Sequence, residues 1–583
     1  MCSSDLFATL LFNVPAEAGG PLLVGAGSAG FGQDMVPFTW DMSGVASPLV
    51  SGGQIQYRTD GGFLGVRDNA TATTSVNAMF QLWENVGTSN VAFNNAGGLQ
   101  STGAFSDGDV STAAEFNAVE GSCGSGTQNP IVYDANGTLF SELGEPSGVI
   151  GFAGACAITI VTTSPGRIVS AQAALNGNFR DCPPTTCTMS PSQDPDGLEL
   201  TDNEFDAVFI HEFGHFFGLD HSQINQNCLA SQGGCADFSD DSFGLPTMFP
   251  FLIGGLEETA GVHPARTLST DDIAWVSRLY PDGSFASSFG TISGNIFYST
   301  HNAPGLGFNV IARQVDNPGT PGINESRRIA VSSVSGYLGT ACPGHPLGGN
   351  CGQTSSFGSR NPSLVGLYDA LGLPPGSYTV EVEGINSAFT GGSRVGPVGA
   401  VGFQWPLPGP PEFFNNGESN SDNPADSSPV VVSAGGTVSN INIIMNGTLP
   451  GQDALEPNTS TANAAPIPNG TTANFSISPF GNEDFYTFTV NANTTATFEV
   501  FADRLIPSSP LDSVMEIVNA SGTRQNLCRP LGSGGSFNQS CLNDDLNFPA
   551  IVDSGLEFRS PSGGTFFVHL VDFLGDGRPE LQY

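Results

Sequence analysis

The 583-residue chain has no lysine. All sixteen basic residues are arginine, against 55 Asp and Glu, for a formal charge of −39. A surface this acidic repels phosphate backbones and anionic headgroups, so nucleic acid and anionic lipid are not expected partners. It favours solubility and draws divalent cations toward clustered carboxylates. Long apolar runs are missing as well. No stretch reaches the roughly eighteen residues of a membrane-crossing helix, and no integral membrane segment is expected. Histidine is scarce, seven in all, and residues 100–200 contain none. No two cysteines have CxxC spacing, which removes the usual signature of a zinc ribbon or redox dithiol.

What is present is glycine (76), proline (41) and phenylalanine (42), enough apolar surface for cores and enough turn residues to favour short strands over long helices. The length exceeds what one core supports and predicts three or four domains. Apart from Cys2, the cysteines fall into five sequential neighbours: Cys123/Cys156, Cys182/Cys187, Cys228/Cys235, Cys342/Cys351 and Cys528/Cys541. Short-range pairs of this kind read as loop-clipping disulfides and an oxidising, extracytoplasmic location, with metal-bound thiolates as the competing reading. Residues 1–34 read as the remnant of a secretory leader: an apolar run from Leu6 to Val14 precedes Ala16-Glu17-Ala18, without a basic start, and residues 1–6 are expected to be an assembly artefact.

Residues 35–285 read as a mixed α/β unit. Gln54 to Arg58 alternates like a strand, and Val76, Met79, Phe80, Trp83 and Val86 recur at helical spacing over 71–86. A strand starts at Val91, another runs from Ala157 to Val161, and a second long helix begins near Asp202. A last helix follows Leu268, capped by Ser269 or Thr270, with Asp271 and Asp272 in its first turn, Ile273, Val276 and Tyr280 as its buried stripe and Pro281 as its stop. After Gly283 the pattern changes to short strands and Gly/Pro turns over 286–449, and changes again at Gly451.

Three of the seven histidines lie within His211-Glu212-Phe213-Gly214-His215-Phe216-Phe217-Gly218-Leu219-Asp220-His221. Histidines at i and i+4 share one helix face and can share one ion. Gly218 can end the helix in a left-handed conformation and return His221 to the same ion. Three imidazoles with an open fourth position make a catalytic rather than a structural zinc site. Glu212, beside the first ligand, is placed to take a proton from water. Phe205, Val208, Phe209 and Ile210 supply the apolar face of a buried helix.

At these residues the chain resembles the metzincin zinc peptidases, with HExxHxxGxxH followed by a Met-turn. Leu245-Pro246-Thr247-Met248-Phe249-Pro250 resembles that turn, with Met248 beneath the ligands, although a Met there could also be ordinary core. Ser222 and the helix carrying Asp271-Asp272-Ile273 resemble the matrixin branch. The resemblance implies an α/β (α+β) catalytic domain with a mixed twisted sheet and an active-site helix over 35–285. It also implies zinc bound by His211, His215 and His221, and Glu212 as general base in peptide-bond hydrolysis. An edge strand at Ala157 to Val161 would align an extended substrate, and Phe249 and Phe251 would wall a side-chain pocket or simply pack. The chain departs from the pattern in four ways. The interval from His221 to Met248 is long, a second histidine-bound zinc is not supported, no PRCGxPD-like cysteine switch is present, and Pro250 stands where some metzincins place a metal-binding Tyr.

Gly290-Thr291-Ile292-Ser293-Gly294 and Leu373-Pro374-Pro375-Gly376-Ser377-Tyr378 resemble a carboxypeptidase-regulatory-like (prealbumin-like) β-sandwich over 286–449, with an insertion. Asp453-Ala454-Leu455-Glu456-Pro457-Asn458 and Gly481 to Val490 resemble the bacterial pre-peptidase C-terminal domain, a second all-β sandwich over 450–583. That resemblance implies structural Ca²⁺ at Asp484, Asp512, Asp544 and Asp545, with solvated carboxylates as the alternative. The expectation is a secreted, bacterial-type, multidomain zinc endopeptidase acting as a monomer on extracellular protein or peptide substrates. The alternative is a surface or matrix adhesion protein whose sandwiches bind polymers, with peptidase activity secondary.

Overall fold

A computed structural model of the protein describes residues 20–22, 24–26, 35–45, 47–158, 167–182, 199–222, 224–225, 245–252, 264–298, 304–305, 307–320, 324–336, 366–385, 407–447, 455–470, 472, 474–478, 482–506, 508–509, 511–547, 550–572 and 581–583. The protein is multidomain, built of several β-sheets with few helices. Its first unit centres on a seven-stranded mixed sheet. A short antiparallel pair, β1 (Val24–Ala26) and β2 (Met35–Pro37), precedes it. The sheet comprises β3 (Thr39–Trp40), β4 (Val50–Ser51), β5 (Gln54–Thr59), β6 (Phe93–Gly98), β7 (Pro130–Asp134), β8 (Gly151–Ile158) and β9 (Arg167–Asn176). Its long strand β9 pairs in parallel with β3 and β7, β7 pairs in parallel with β5, and β5 with β6. β8 runs antiparallel to β9 from Gly151↔Leu175 to Ile158↔Arg167, with an irregularity between Cys156 and Ala157. Among the described residues no other strand pairs with β8, so it is an edge.

Four helices accompany these strands: α1 (Asn69–Glu84), α2 (Ala113–Glu120), α3 (Thr138–Leu143) and α4 (Asp202–Phe217); a fifth, α5 (Thr270–Leu279), closes the unit. α1 starts two residues before the spacing predicts because Asp68 caps it, accepting from the Thr71 N–H. It buries Val76, Met79, Phe80 and Trp83, four of the five stripe residues. These meet Phe213, Phe216 and Phe217 of α4; Phe80 stacks on Phe213 with ring centroids 3.8 Å apart. α4 opens with a capping box between Thr201 and Glu204. α5 opens the same way with Ser269 and Asp272. Of its expected stripe, Val276 and Tyr280 are buried and Ile273 only partly so, whereas Asp271 and Asp272 are each 2% exposed.

The second unit is sandwich-like. One sheet pairs β10 (Gly290–Phe297) with β13 (Leu367–Leu373), β17 (Thr437–Val438) and β18 (Ile443–Ile444). The other joins β11 (Asn309–Gln314), β12 (Ala330–Val334), β14 (Gly376–Glu383), β15 (Glu412–Phe413) and β16 (Val430–Val432). β10 alternates in burial throughout, and β14 buries Tyr378, Val380 and Val382 in alternation, with Glu381 buried between the last two. The last unit also has two sheets, of five and three strands, around Tyr486, Phe488, Ile517, Phe558 and Val568. Disulfides join Cys123 to Cys156 (Cα–Cα 5.5 Å) and Cys528 to Cys541 (5.0 Å), two of the five expected pairs. Cys182 is disulfide-bonded. Cys187, Cys228, Cys235, Cys342 and Cys351 lie outside the described residues, as do residues 1–19. No helix among the described residues is long and apolar enough to cross a membrane.

Candidate metal centre

α4 carries the first two histidines because its other faces are apolar and held on three sides. Trp83 donates Nε1–H to the Ile210 carbonyl (3.0 Å). At the C-terminal end, where carbonyls lack helical partners, Trp40 donates to Phe216 O (3.3 Å) and Tyr280 OH to Phe217 O (2.5 Å). At the N-terminal end Arg67 pairs with Asp206 (2.6 Å) and Asp202 (2.7 Å) while lying over Phe205 and Phe209. Gly218 then ends the helix with φ +107°, its N–H bonded to His215 O. A side chain there would be strained by that φ, and its Cβ would also come within 2.8 Å of Ile168 Cδ1.

The turn delivers His221 to its partners. The three Nε2 atoms face one another at 3.1 Å (His211–His221), 3.1 Å (His211–His215) and 3.2 Å (His215–His221). Among the described residues this is the one group of three or more His, Cys, Asp or Glu able to hold a metal ion. Tetrahedral bonds of about 2.0–2.1 Å place imidazole nitrogens roughly 3.3 Å apart, close to what is observed. Proton placement supports the fit. His211 Nδ1 lies 2.8 Å from Thr247 O and His215 Nδ1 lies 2.8 Å from Leu219 O, contacts that require N–H on Nδ1. The Nε2 lone pairs of both rings therefore point at each other, a repulsion that a cation between them converts to attraction. Burial also holds these rings neutral, as metal ligands must be. It pulls His211 down to about 4 and His215 to about 3, the latter helped by the neighbouring His211. An all-imidazole set suits zinc, copper, iron or nickel, and the geometry leaves the element open.

Glu212 is 6% exposed, and burial alone pushes its carboxyl up to about 8. It lies against the start of β8. A Cβ at Gly151 would come within 3.0 Å of Glu212 Cγ and 3.1 Å of Oε1, so a bare backbone on the edge strand makes room for this carboxylate. Met248, 2% exposed, packs against α4 at Gly214. It also explains Gly214: a Cβ there would collide with Met248 Sδ and Cε and crowd Trp83. Small and large thus interlock directly beneath the histidines.

Several supports escaped the sequence reading. Asp272 accepts from the Thr247 N–H (2.8 Å) and Met248 N–H (3.1 Å), fixing the turn whose Thr247 carbonyl orients His211. Ser222 gives its N–H to Met248 O (2.7 Å) and its Oγ–H to Asp271 Oδ2 (2.6 Å). The two aspartates had read as favourable charges near a helix start and as part of the matrixin resemblance, without these partners. Their visible signal was an acidic pair in the first turn after a Ser-Thr cap. Arg67 and Gly151 had none, since their partners are distant in sequence.

Phe249 is buried and Phe251 is 45% exposed, so packing claims the first and only the second is open to solvent. The expected calcium residues do not form a metal-sized group. Asp484 is enclosed by Asn482, Tyr486 and Tyr583 donors. The Asp512 N–H bonds to Asp572. Asp544 neighbours Asp545, whose carboxyl is pushed up to about 6 by burial and by Asp544. Of the Ala157–Val161 strand, residues 159–161 lie outside the described residues, while Ala157 and Ile158 end the edge strand β8. Compared with protein-family models and with curated proteins, the chain matches none.

Proposed function

We propose that the protein is a zinc-dependent endopeptidase of the metzincin type, matrixin-like, acting outside the cytoplasm on protein or peptide substrates. The observation that carries this reading is the convergence of three Nε2 atoms at 3.1–3.2 Å beside the buried carboxyl of Glu212. When bound, zinc supplies Lewis-acid chemistry, polarising a carbonyl and acidifying water. His211, His215 and His221 hold it, each presenting Nε2. Glu212 is too close in sequence to join His211 as a ligand. A cation nearby favours its ionised form over the protonated form that burial favours. It then accepts a proton from water and returns it to the leaving amine.

The free edge of β8 supports the peptide part of the reading. An edge strand offers a row of backbone N–H and C=O groups that an extended substrate can pair with, and Gly151 places that edge against Glu212. The disulfides Cys123–Cys156 and Cys528–Cys541 are compatible with an oxidising location. Metal analysis of the purified protein combined with peptide-library cleavage tests the proposal. Wild type should carry one zinc and cleave. Glu212→Gln should keep the zinc and lose about 10²–10⁴-fold in kcat. A zinc-loaded wild type that cleaves no peptide, or an active Glu212→Gln, would sink it.

A further inference from the structure

The buried hydrogen bonds around the metal centre do not stop at the first unit. Asp271 uses Oδ2 for the Ser222 hydroxyl and Oδ1 for the Ser332 N–H (2.8 Å); the Ser332 hydroxyl lies 3.2 Å from Oδ1 and 3.1 Å from Oδ2. Ser332 belongs to β12 of the first sandwich and is 1% exposed, like Ser222, its counterpart on the other side of the carboxylate. Ser222 follows His221 directly and is held from behind by Met248 O. One carboxylate thus links a strand of the sandwich to the residue next to the third histidine.

Around this line the interface is sealed. Trp275 donates Nε1–H to Ser332 O (3.0 Å), and Arg278 grips Asp369 with two bonds of 2.9 Å. Ala274 sits in the sandwich core, while Val334 and Ile385 sit in the core of the first unit. Gly372, at φ +101°, lets the backbone of β13 approach Ala274, and a Cβ there would clash with it. A carboxylate at such a dry junction is costly unless donors satisfy it. Here the donors come from both units, so the sandwich completes the shell behind His221.

We propose that Asp271 is a positioning residue for the metal centre and that Ser332, from the first sandwich, is part of the same relay to His221. The relay runs Ser332–Asp271–Ser222 and sets the path of the chain at the third ligand, as outer-shell partners of metal-bound histidines commonly do. The inference rests on the metal-centre reading above. It makes the first sandwich a structural component of the site rather than a tethered accessory.

The test uses the full chain with Asp271→Asn, Ser332→Ala and Asp369→Ala. Zinc affinity is measured by chelator competition, the cobalt-substituted protein is read by its visible d–d bands at saturating Co²⁺, and melting curves report folding. Asp271→Asn should weaken zinc by about tenfold or more and move the cobalt bands, and Ser332→Ala should do the same to a smaller extent. Asp369→Ala breaks the two bonds to Arg278 across the same interface without touching Ser332, Asp271 or Ser222, so it should lower the melting temperature and leave affinity and bands unchanged. Wild-type affinity and bands in a folded Asp271→Asn and in Ser332→Ala would overturn the relay. So would equal band shifts in Asp369→Ala, because generic docking would then explain them. If Asp271→Asn fails to fold, Ser332→Ala decides alone. A wild type that takes up neither ion fails at the metal-centre reading itself, an outcome distinct from variants that match a metal-binding wild type.

Discussion

The two sandwich-like units share an architecture and differ in what they touch. The first exchanges residues with its neighbour: Ala274 enters its core, and Val334 and Ile385 enter the core of the first unit. Among the described residues, the core of the last unit draws only on residues from 455 onward. Two sheets facing each other bury one surface and leave the outer faces free. What those outer faces carry decides the role. On the first sandwich, β12 and β13 present Ser332, Asp369 and Gly372 to α5, which needs exactly such small or polar partners because its own buried face holds two aspartates, Trp275 and Arg278.

This contrast is broken most severely by truncation. A chain ending after residue 449 should fold, bind zinc and cleave like the full chain. One ending after residue 285 should lose the metal centre, because Asp271 loses the Ser332 donors and Ala274 and Trp275 lose their cover. Zinc content and cleavage of both truncations measure the difference, and equal behaviour of the two would remove the distinction between the sandwiches.

A single residue sharpens the same contrast. Gly372→Val places a branched side chain at φ +101° against Ala274 and should cost on the order of 3 kcal/mol, combining left-handed strain with overpacking. Calorimetry on the full chain should show the transition of the first two units shifted together and that of the last unit unmoved. A shift confined to the sandwich alone would show that the shared core does not couple the units.

The unequal legibility of the fold has a physical cause. Helix α4, its glycine stop and the histidine face follow from local spacing, and all three histidines fall where the spacing puts them. β5, β10 and β14 were likewise readable from alternation. Asp271, Arg67 and Gly151 were not, because each acts on a partner between about sixty and 140 residues away (Ser332, Asp206 and Glu212), and Asp272 reaches back 25 and 24 residues to Thr247 and Met248. Their roles come from tertiary packing, and no local periodicity encodes it. Gly214 lies between these cases. Its presence in the motif was plain, but its reason appeared only when Met248 was found packed against it.

The smallest predicted effect belongs to the last unit and has a definite sign. His569, 4% exposed, contacts Glu516 Oε1 through Nδ1 (2.8 Å) and Glu483 Oε2 through Nε2 (3.1 Å), and stacks on Phe485 at 4.1 Å. Burial lowers its pKa, but the hydrogen bonds and charges of the two glutamates outweigh that and leave it raised. Both ring nitrogens face carboxylates, which only the doubly protonated ring can satisfy. A histidine whose folded pKa exceeds its unfolded value of about 6.5 contributes stability that is complete below that value and is lost as pH rises through the folded pKa. The melting transition of the last unit should therefore fall as pH rises above about 6.5 and through the folded pKa of His569, and His569→Gln should flatten that slope. The first two units lack this pair of glutamates around a histidine among their described residues, so their transition should not follow the same curve. A last-unit transition that rises over this range would mean that His569 is neutral in the fold, with burial winning over both carboxylates.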